Sequence, residues 1–314
     1  MKVVALAGGV GGAKLVDGLA ALLSPDDFSV VVNTGDDFDY WGLRICPDLD
    51  TVCYTLGGLA NPGAGWGQKD ETWETLNGLK SMGGATWFKI GDKDLLTHLR
   101  RTELLAERRS LSSVTRELCS TWGVNHLVFP MSDDPVRTIV HTAEHGALDF
   151  QRYFVQFAYQ PVVRLFEFCG AEVATPAPGV LDQIGAADVV IITPSNPFVS
   201  IDPILAIPGY RQALEDKVVI AVSPLVGGQA LKGPAAKMFH ELGVEPSASA
   251  IASHYRGLLK GFIFDVRDQT ELEKIERWRI IGLLTNIIMH DFQDRIRFAH
   301  EVLKFCESIL IRSK

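Results

Sequence analysis

Residues 33–58 carry five aspartates, Asp36, Asp37, Asp39, Asp48 and Asp50, and Arg44 is the single basic residue among them. Tyr40, Trp41, Leu43, Ile45, Leu49 and Tyr54 alternate with these acids. A freely solvated loop has no need of such apolar neighbours. Carboxylates held among apolar side chains point to a site that requires negative charge at fixed positions. Such a site binds a divalent cation, takes a proton from a substrate, or orients hydroxyl groups. The competing reading is an acidic surface loop with helix caps.

The preceding residues favour the site. An apolar run over residues 2–7 ends in Gly8, Gly9, Val10, Gly11, Gly12, Ala13 and Lys14, and Leu15, Leu19 and Leu22 then recur with helical spacing. Strand, glycine turn and helix together cradle phosphate: the glycines admit a close ligand, and the helix N-terminus offers N–H groups and the positive end of its dipole. Gly9, Gly11, Gly12 and Lys14 are therefore candidate phosphate-binding residues. Lys14 stands where a dinucleotide fingerprint has its third glycine, and no Gly-Lys-Ser/Thr closes a Walker loop. An unliganded tight turn is the alternative.

Residues 28–33 read as the second strand, with the aspartates at its carboxyl end. Ligands of open α/β sheets bind beyond the carboxyl ends of strands, so the glycine turn and the acids are expected to face one crevice. A helix is expected over residues 49–56, with Asp48 or Asp50 near its start. Residues 59–125 read as a mostly helical insertion covering the crevice, with helices at 71–82, 95–106 and 112–122. Asp92 and Ser110 are placed to cap the second and third. Trp66, Trp73, Trp87 and Phe88 suit either a planar ligand or a core. A strand at 126–129 and a hairpin of 137–142 with 147–151 follow. His141 and His145 have metal-like spacing, but a turn explains them better. Strands at 188–193 and 217–222 end in polar loops holding Ser195, Asn196, Ser223 and Gly227. The chain closes with strands at 260–266 and 278–283 and a helix at 292–310.

With 314 residues, 47% hydrophobic and 22% charged, the composition is that of a globular enzyme. The net charge of -8 argues against nucleic acid or anionic lipid as a partner, and no apolar run has the ~20 residues that span a bilayer. Five cysteines without a CxxC pair fit free thiols in a reducing cytoplasm.

In order along the chain, GGVGGAKLVDGL, VVNTGDD, ICPDLDTVCYTLGG, DETW, IGDKDLLTHLRR, MSDDPVRT, PSNPFVSI, SPLVGG and LKGPAAK closely resemble the motifs of the CofD/FbiA family. These are the transferases of coenzyme F-420 biosynthesis. The resemblance covers residues 1–265 and runs more loosely to the end. It implies a single Rossmann-like α/β domain over residues 1–314, with a mainly parallel sheet and helices on both faces. It further implies a guanosine diphospho-linked donor carrying 2-phospholactate or enolpyruvyl phosphate. The acceptor is 7,8-didemethyl-8-hydroxy-5-deazariboflavin (FO), GMP is released, and Mg2+ assists. By resemblance, Asp50, Thr51 and Lys89 belong to the FO site, and Asp50 and Asp36 to the catalytic machinery. Asp36, Asp37 and Asp48 are the expected metal ligands. The nucleotide and its phosphates fall to the glycine turn, Lys14, Ser195, Asn196, Ser223 and Gly227, and a homodimer is expected. Two other readings compete: a nucleotide-sugar-binding regulator of the same superfamily, and a nicotinamide-dependent oxidoreductase.

Overall fold

Strand β1 (Val3–Ala7) is buried at every position, the pattern of a strand covered on both faces. Its alternate residues feed two different cores: Val4 and Leu6 join one, and Val3, Ala5 and Ala7 the other. Helix α1 (Gly9–Leu22) follows directly, and β2 (Phe28–Val32) is again wholly buried. The computed structural model describes residues 1–313. The acidic segment forms a small antiparallel hairpin, β3 (Phe38–Tyr40) and β4 (Leu43–Ile45), and then helix α2 (Pro47–Leu56). Pro47 suits the first turn of α2, where its missing N–H has no intrahelical partner to lose.

Three helices separate α2 from the sheet's next strand: α3 (Glu74–Ser81), α4 (Asp92–Ala106) and α5 (Leu111–Thr121). Ser110 caps α5 as expected, its hydroxyl accepting from the Ser113 amide. Asp92 departs from expectation. It lies inside α4, behind Gly91, and its carboxylate accepts from the Glu74 and Thr75 amides and the Thr72 hydroxyl. It therefore caps α3, reached through space, rather than the helix it opens.

Strand β5 (Leu127–Pro130) enters the main sheet. The expected hairpin is present as β6 (Arg137–Thr142) and β7 (Gly146–Asp149). A strand not anticipated, β8 (Val163–Cys169), pairs with β6 to give a separate three-stranded sheet. His145 stacks near Phe157 and His141 pairs with Glu167, so these histidines converge on no common point. The chain then adds β9 (Val189–Ile192), β10 (Val218–Val222), the short pair β11 (Leu225–Val226) and β12 (Gln229–Ala230), β13 (Leu259–Asp265) and β14 (Ile281–Thr285). The closing helix Phe292–Ser313 packs on α1, where bare Gly18 sits against the Arg295 carbonyl.

The main sheet has the order β14-β13-β10-β9-β1-β2-β5, and every neighbouring pair is parallel. Counted among these seven strands alone, the order is that of a doubly wound nucleotide-binding sheet with one strand added. The strand sequence reverses between β1 and β9, and there the crossover helices leave to opposite faces. In sheets of this order, ligands bind in a crevice at such a switch point, beyond the carboxyl ends of the strands. The glycine turn follows β1, and Ser195 follows β9.

Candidate active site

The two loops at the switch point are tied directly to each other. Ser195 Oγ donates to the Gly8 carbonyl at 2.7 Å and accepts from the Gly8 amide at 3.0 Å. A methyl group at Gly12 would lie 2.5 Å from Ser195 Oγ, and one at Gly11 would lie 2.6 Å from the Pro194 carbonyl oxygen. The glycines therefore let two loops pack backbone to backbone. Gly9 adopts φ +64°, a region that favours glycine, and its amide donates to Asp48 Oδ1 at 2.7 Å. Asp48, in the first turn of α2, thus also caps the first turn of α1. The remaining amides of that turn are those a helix leaves without intrahelical acceptors.

Four of the five aspartates are buried: Asp36, Asp37, Asp48 and Asp50 are each at most 8% exposed. Asp39 stands outside at the surface between Arg44 and Arg137. Asn33, fully buried at the end of β2, organises the acids. Its side-chain amide faces Asp36 Oδ1 at 3.2 Å, Asp48 Oδ2 at 2.9 Å and the Val199 carbonyl at 3.2 Å. Two protons thus serve three acceptors. Its carbonyl accepts from the Gly35 amide, which sets the turn that carries Asp36. Gln151, just beyond β7, donates to the other Asp36 oxygen at 2.8 Å.

This cluster is short of positive charge. Burial raises the Asp36 carboxyl well above the ordinary carboxylate range, and repulsion from Asp48 and Asp37 adds to it. Burial carries Asp48 to about 6, against the pull of Asn33 and the Gly9 amide. It carries Asp37 to about 7, and Asp37 Oδ1 is buried without a hydrogen-bond partner. Hard oxygen donors crowded together, all three held above their normal pKa chiefly by burial and one atom orphaned, suit a hard divalent cation. The three carboxylates are not closed into one tight set. Among the described residues, the one trio of potential ligands with atoms all within 4.8 Å of one another is Asp50, Asp94 and His98. Asp50 already carries a guanidinium, so a cation there would meet like charge.

That guanidinium belongs to Arg101 of α4. Arg101 Nη2 pairs with Asp50 Oδ1, and Nη1 lies 3.1 Å from Oδ2. Burial raises the Asp50 carboxyl, while Arg101 and His98 pull it back. His98 stands between two acids, Nδ1 3.7 Å from Asp50 Oδ2 and Nε2 3.4 Å from Asp94 Oδ2. Tyr54 donates to the second Asp94 oxygen at 2.7 Å. Burial would raise Asp94, but His98 and Tyr54 outweigh it and the net shift is downward. Thr51 is buried beside Asp50 on α2. Lys89 is exposed and lines a cavity of about 200 Å3 with Trp66, Trp73, Glu71, Gly91 and Asp94. Trp87 and Phe88 instead pack with Phe38 and Tyr40 in a small aromatic core.

Basic side chains gather around Lys14 on α1. Lys14 Nζ donates to the Met289 carbonyl at 2.5 Å. Burial lowers its pKa, and so does the proximity of Arg295 and Lys232. Lys232 reaches the Ala64 carbonyl at 3.2 Å and so touches the segment ahead of α3. Ser223 Oγ closes the turn after β10 by bonding both the amide and the carbonyl of Leu225. Asn196 Oδ1 accepts from the Phe198 amide, and its Nδ2 faces Met238 Sδ at 3.3 Å. Gly227 has φ +59° and donates its amide to Asp268 Oδ2.

Residues 3–294 match the family model described as 2-phospho-L-lactate transferase CofD. The chain belongs to the CofD family. It is 42% identical over 316 residues to a protein of Streptomyces griseus named phosphoenolpyruvate transferase, covering 98% of this chain and 99% of that one. A protein of Thermobifida fusca with the same name is 44% identical over 281 residues, 85% of this chain and 87% of that one. Among solved structures, a UPF0052-family protein of Bacillus halodurans superimposes with a TM-score of 0.60 at 14% identity, over 96% of this chain and 98% of that one. That likeness concerns the fold alone. The sequence match lies with the transferases, and neither the regulatory reading nor the oxidoreductase gains support from it.

Sequence reasoning singled out the acids of this CofD-family site but missed their partners. Asn33, Gln151, His98 and Arg101 carry no assignment from the sequence, and Asp94 enters only through the charged glycine turn at 89–94, which reads as adjoining the site. For the last three a signal exists: polar residues at positions 94, 97, 98 and 101 form one helical face.

Proposed function

We propose that the chain transfers an enolpyruvyl phosphate group from a guanosine diphospho-linked donor to the ribityl hydroxyl of FO, in coenzyme F-420 biosynthesis. The observation that carries this reading is the end-to-end match to the CofD family, with the buried acids set against the glycine turn. The enolpyruvyl form is preferred over phospholactyl because the relatives at 40–44% identity are named phosphoenolpyruvate transferases.

The acceptor hydroxyl attacks the distal phosphorus, a new P–O bond forms, the P–O bond to GMP breaks, and the hydroxyl proton departs. There is little covalent work for the protein in such a step, so positioning and charge neutralisation dominate. In this reading the free amides of the glycine turn, with Lys14, Lys232 and Arg295, receive the donor's phosphates. The turns at Ser195, Asn196, Ser223 and Gly227 frame the guanosine end. The side chains of Ser195 and Ser223 hold those turns in shape, so backbone groups face the nucleotide. Asp50, Thr51 and Lys89 take the acceptor, with the deazaflavin ring beside Trp66 and Trp73. Asp36, Asp37 and Asp48 would hold Mg2+, which when bound supplies positive charge beside the phosphates. The insertion at residues 59–125 covers the crevice, with Lys232 clasping Ala64.

The test is incubation with FO, Mg2+ and each candidate donor, with mass analysis of the deazaflavin product. Two products that differ by two hydrogens separate the donors. No phosphorylated deazaflavin from either donor refutes the reading.

A further inference from the structure

The face of α4 that meets the core is polar where a core-facing helix stripe is ordinarily apolar. Asp94, Thr97, His98 and Arg101 are spaced i, i+3, i+4 and i+7, and all are at most 8% exposed. They lie against Asp50 and Tyr54 of α2. A buried ion pair is commonly no more stable than well-packed apolar residues of the same volume, because both charges lose their water. Stability alone therefore does not account for this face.

The geometry does more than pair two charges. Arg101 engages both oxygens of Asp50, and a two-point contact fixes the plane of a carboxylate as a single contact cannot. Its Nη1 also donates to the Arg44 carbonyl at 3.3 Å, which anchors the guanidinium to strand β4 of the acidic hairpin. His98 Nδ1 lies 3.3 Å from the same Nη1. On the far side of His98, Asp94 Oδ2 lies 3.4 Å from Nε2, and Tyr54 fixes Asp94 by donating to its other oxygen. Asp94 also lines the cavity that contains Lys89, Trp66 and Trp73. The polar array thus runs from the cavity wall to Asp50.

We propose that Arg101 is a positioning residue of the transfer reaction: it holds the Asp50 carboxylate in one plane and one rotamer against the acceptor hydroxyl, and His98 and Asp94 keep the guanidinium in register. This rests on the reading of Asp50 as an acceptor contact. Arg101 touches neither substrate. Its effect on turnover passes through Asp50, so the two residues act as one unit and their substitutions do not add.

A double-mutant cycle with Asp50→Asn and Arg101→Met tests this by single-turnover rate, alongside FO affinity and the KM for the donor. Asp50→Asn is expected to slow transfer roughly 10²–10⁴-fold. Arg101→Met should slow it comparably with donor KM unchanged, and the double variant should be no slower than Asp50→Asn to within about twofold. Arg101→Met leaves a buried carboxylate unpaired and is the variant most exposed to misfolding. Arg101→Lys keeps the charge but not the two-point contact. It is expected to melt as a folded protein and to lose about tenfold or more in rate, with donor KM unchanged. Guanidinium ion added to Arg101→Ala should restore part of the rate, which a merely structural role would not do. A wild-type rate in Arg101→Lys, or multiplying losses in the double variant, overturns the proposal. A wild-type rate in Asp50→Asn instead overturns the reading of Asp50 beneath it.

Discussion

Four buried carboxylates with raised pKa make the protein's stability depend on pH in an unusual direction. In the unfolded chain these groups ionise near 3.8. In the folded chain Asp48 holds its proton to about 6 and Asp37 to about 7, and Asp36 and Asp50 are shifted the same way. The folded state therefore binds more protons than the unfolded one across this window. The contribution to stability is fully present below the unfolded value, and it is lost as pH rises through the folded values. Each pH unit between the two values is worth about 1.4 kcal/mol per group. Between pH 5 and pH 7–8, Asp37 and Asp48 together should remove roughly 2–4 kcal/mol, the lower figure allowing for water entering the crevice. For a chain of this size that is a fall in Tm of about 5–10 °C. The assay is thermal unfolding followed by circular dichroism, at pH 5 and pH 8, in chelator and in Mg2+. A cation binding the ionised cluster should remove most of the fall, and Asp37→Asn should flatten it without metal. A Tm that is level from pH 5 to 8 in chelator would refute the charge argument. A fall that Mg2+ leaves untouched would take the cation away from these carboxylates.

Chelation should abolish transfer and Mg2+ should restore it, and full turnover in excess chelator would contradict this. Asn196→Ala should weaken GDP binding by ~1–3 kcal/mol, the usual loss for an unpaired buried partner, and leave FO affinity unchanged; isothermal titration reads both. Trp66→Ala should weaken FO by about 0.5–1.5 kcal/mol if the ring lies beside it, as read by deazaflavin fluorescence, with GDP affinity as the control. Gly11→Ala sets a methyl against the Pro194 carbonyl and should cost ~1–3 kcal/mol of stability through overpacking, with GDP binding weakened in parallel; an unchanged Tm would show that the two loops have room to part.

The sequence by itself determined the class of fold. Strands buried on both faces leave near-continuous apolar runs, such as those ending at Ala7, Val32, Ile192 and Val222, and each is followed by glycine or polar residues. Such local patterns fix strand, turn and helix in order, because they depend only on neighbours along the chain. The dense aspartates and the glycine turn were legible for the same reason. The three-stranded sheet of β6, β7 and β8 was not, because β8 is largely exposed and carries no apolar run.

Tertiary structure decided who meets whom. Asp92 reads as the cap of the helix it opens, yet it caps α3, because the turn before α4 folds back over that helix's first amides. Arg44 is the acids' only basic neighbour along the chain, but the countercharge of Asp50 comes from Arg101, 51 residues away. Asn33 joins Asp36 to Asp48 across 15 residues, and Gln151 reaches Asp36 from 115 residues away. Ser195 and the glycine turn are 187 residues apart in sequence and in direct hydrogen-bond contact in space. Electrostatic and hydrogen-bond partnership depends on distance through space and on exclusion of water. A string of residue types records neither, so it could name the charges but not their state.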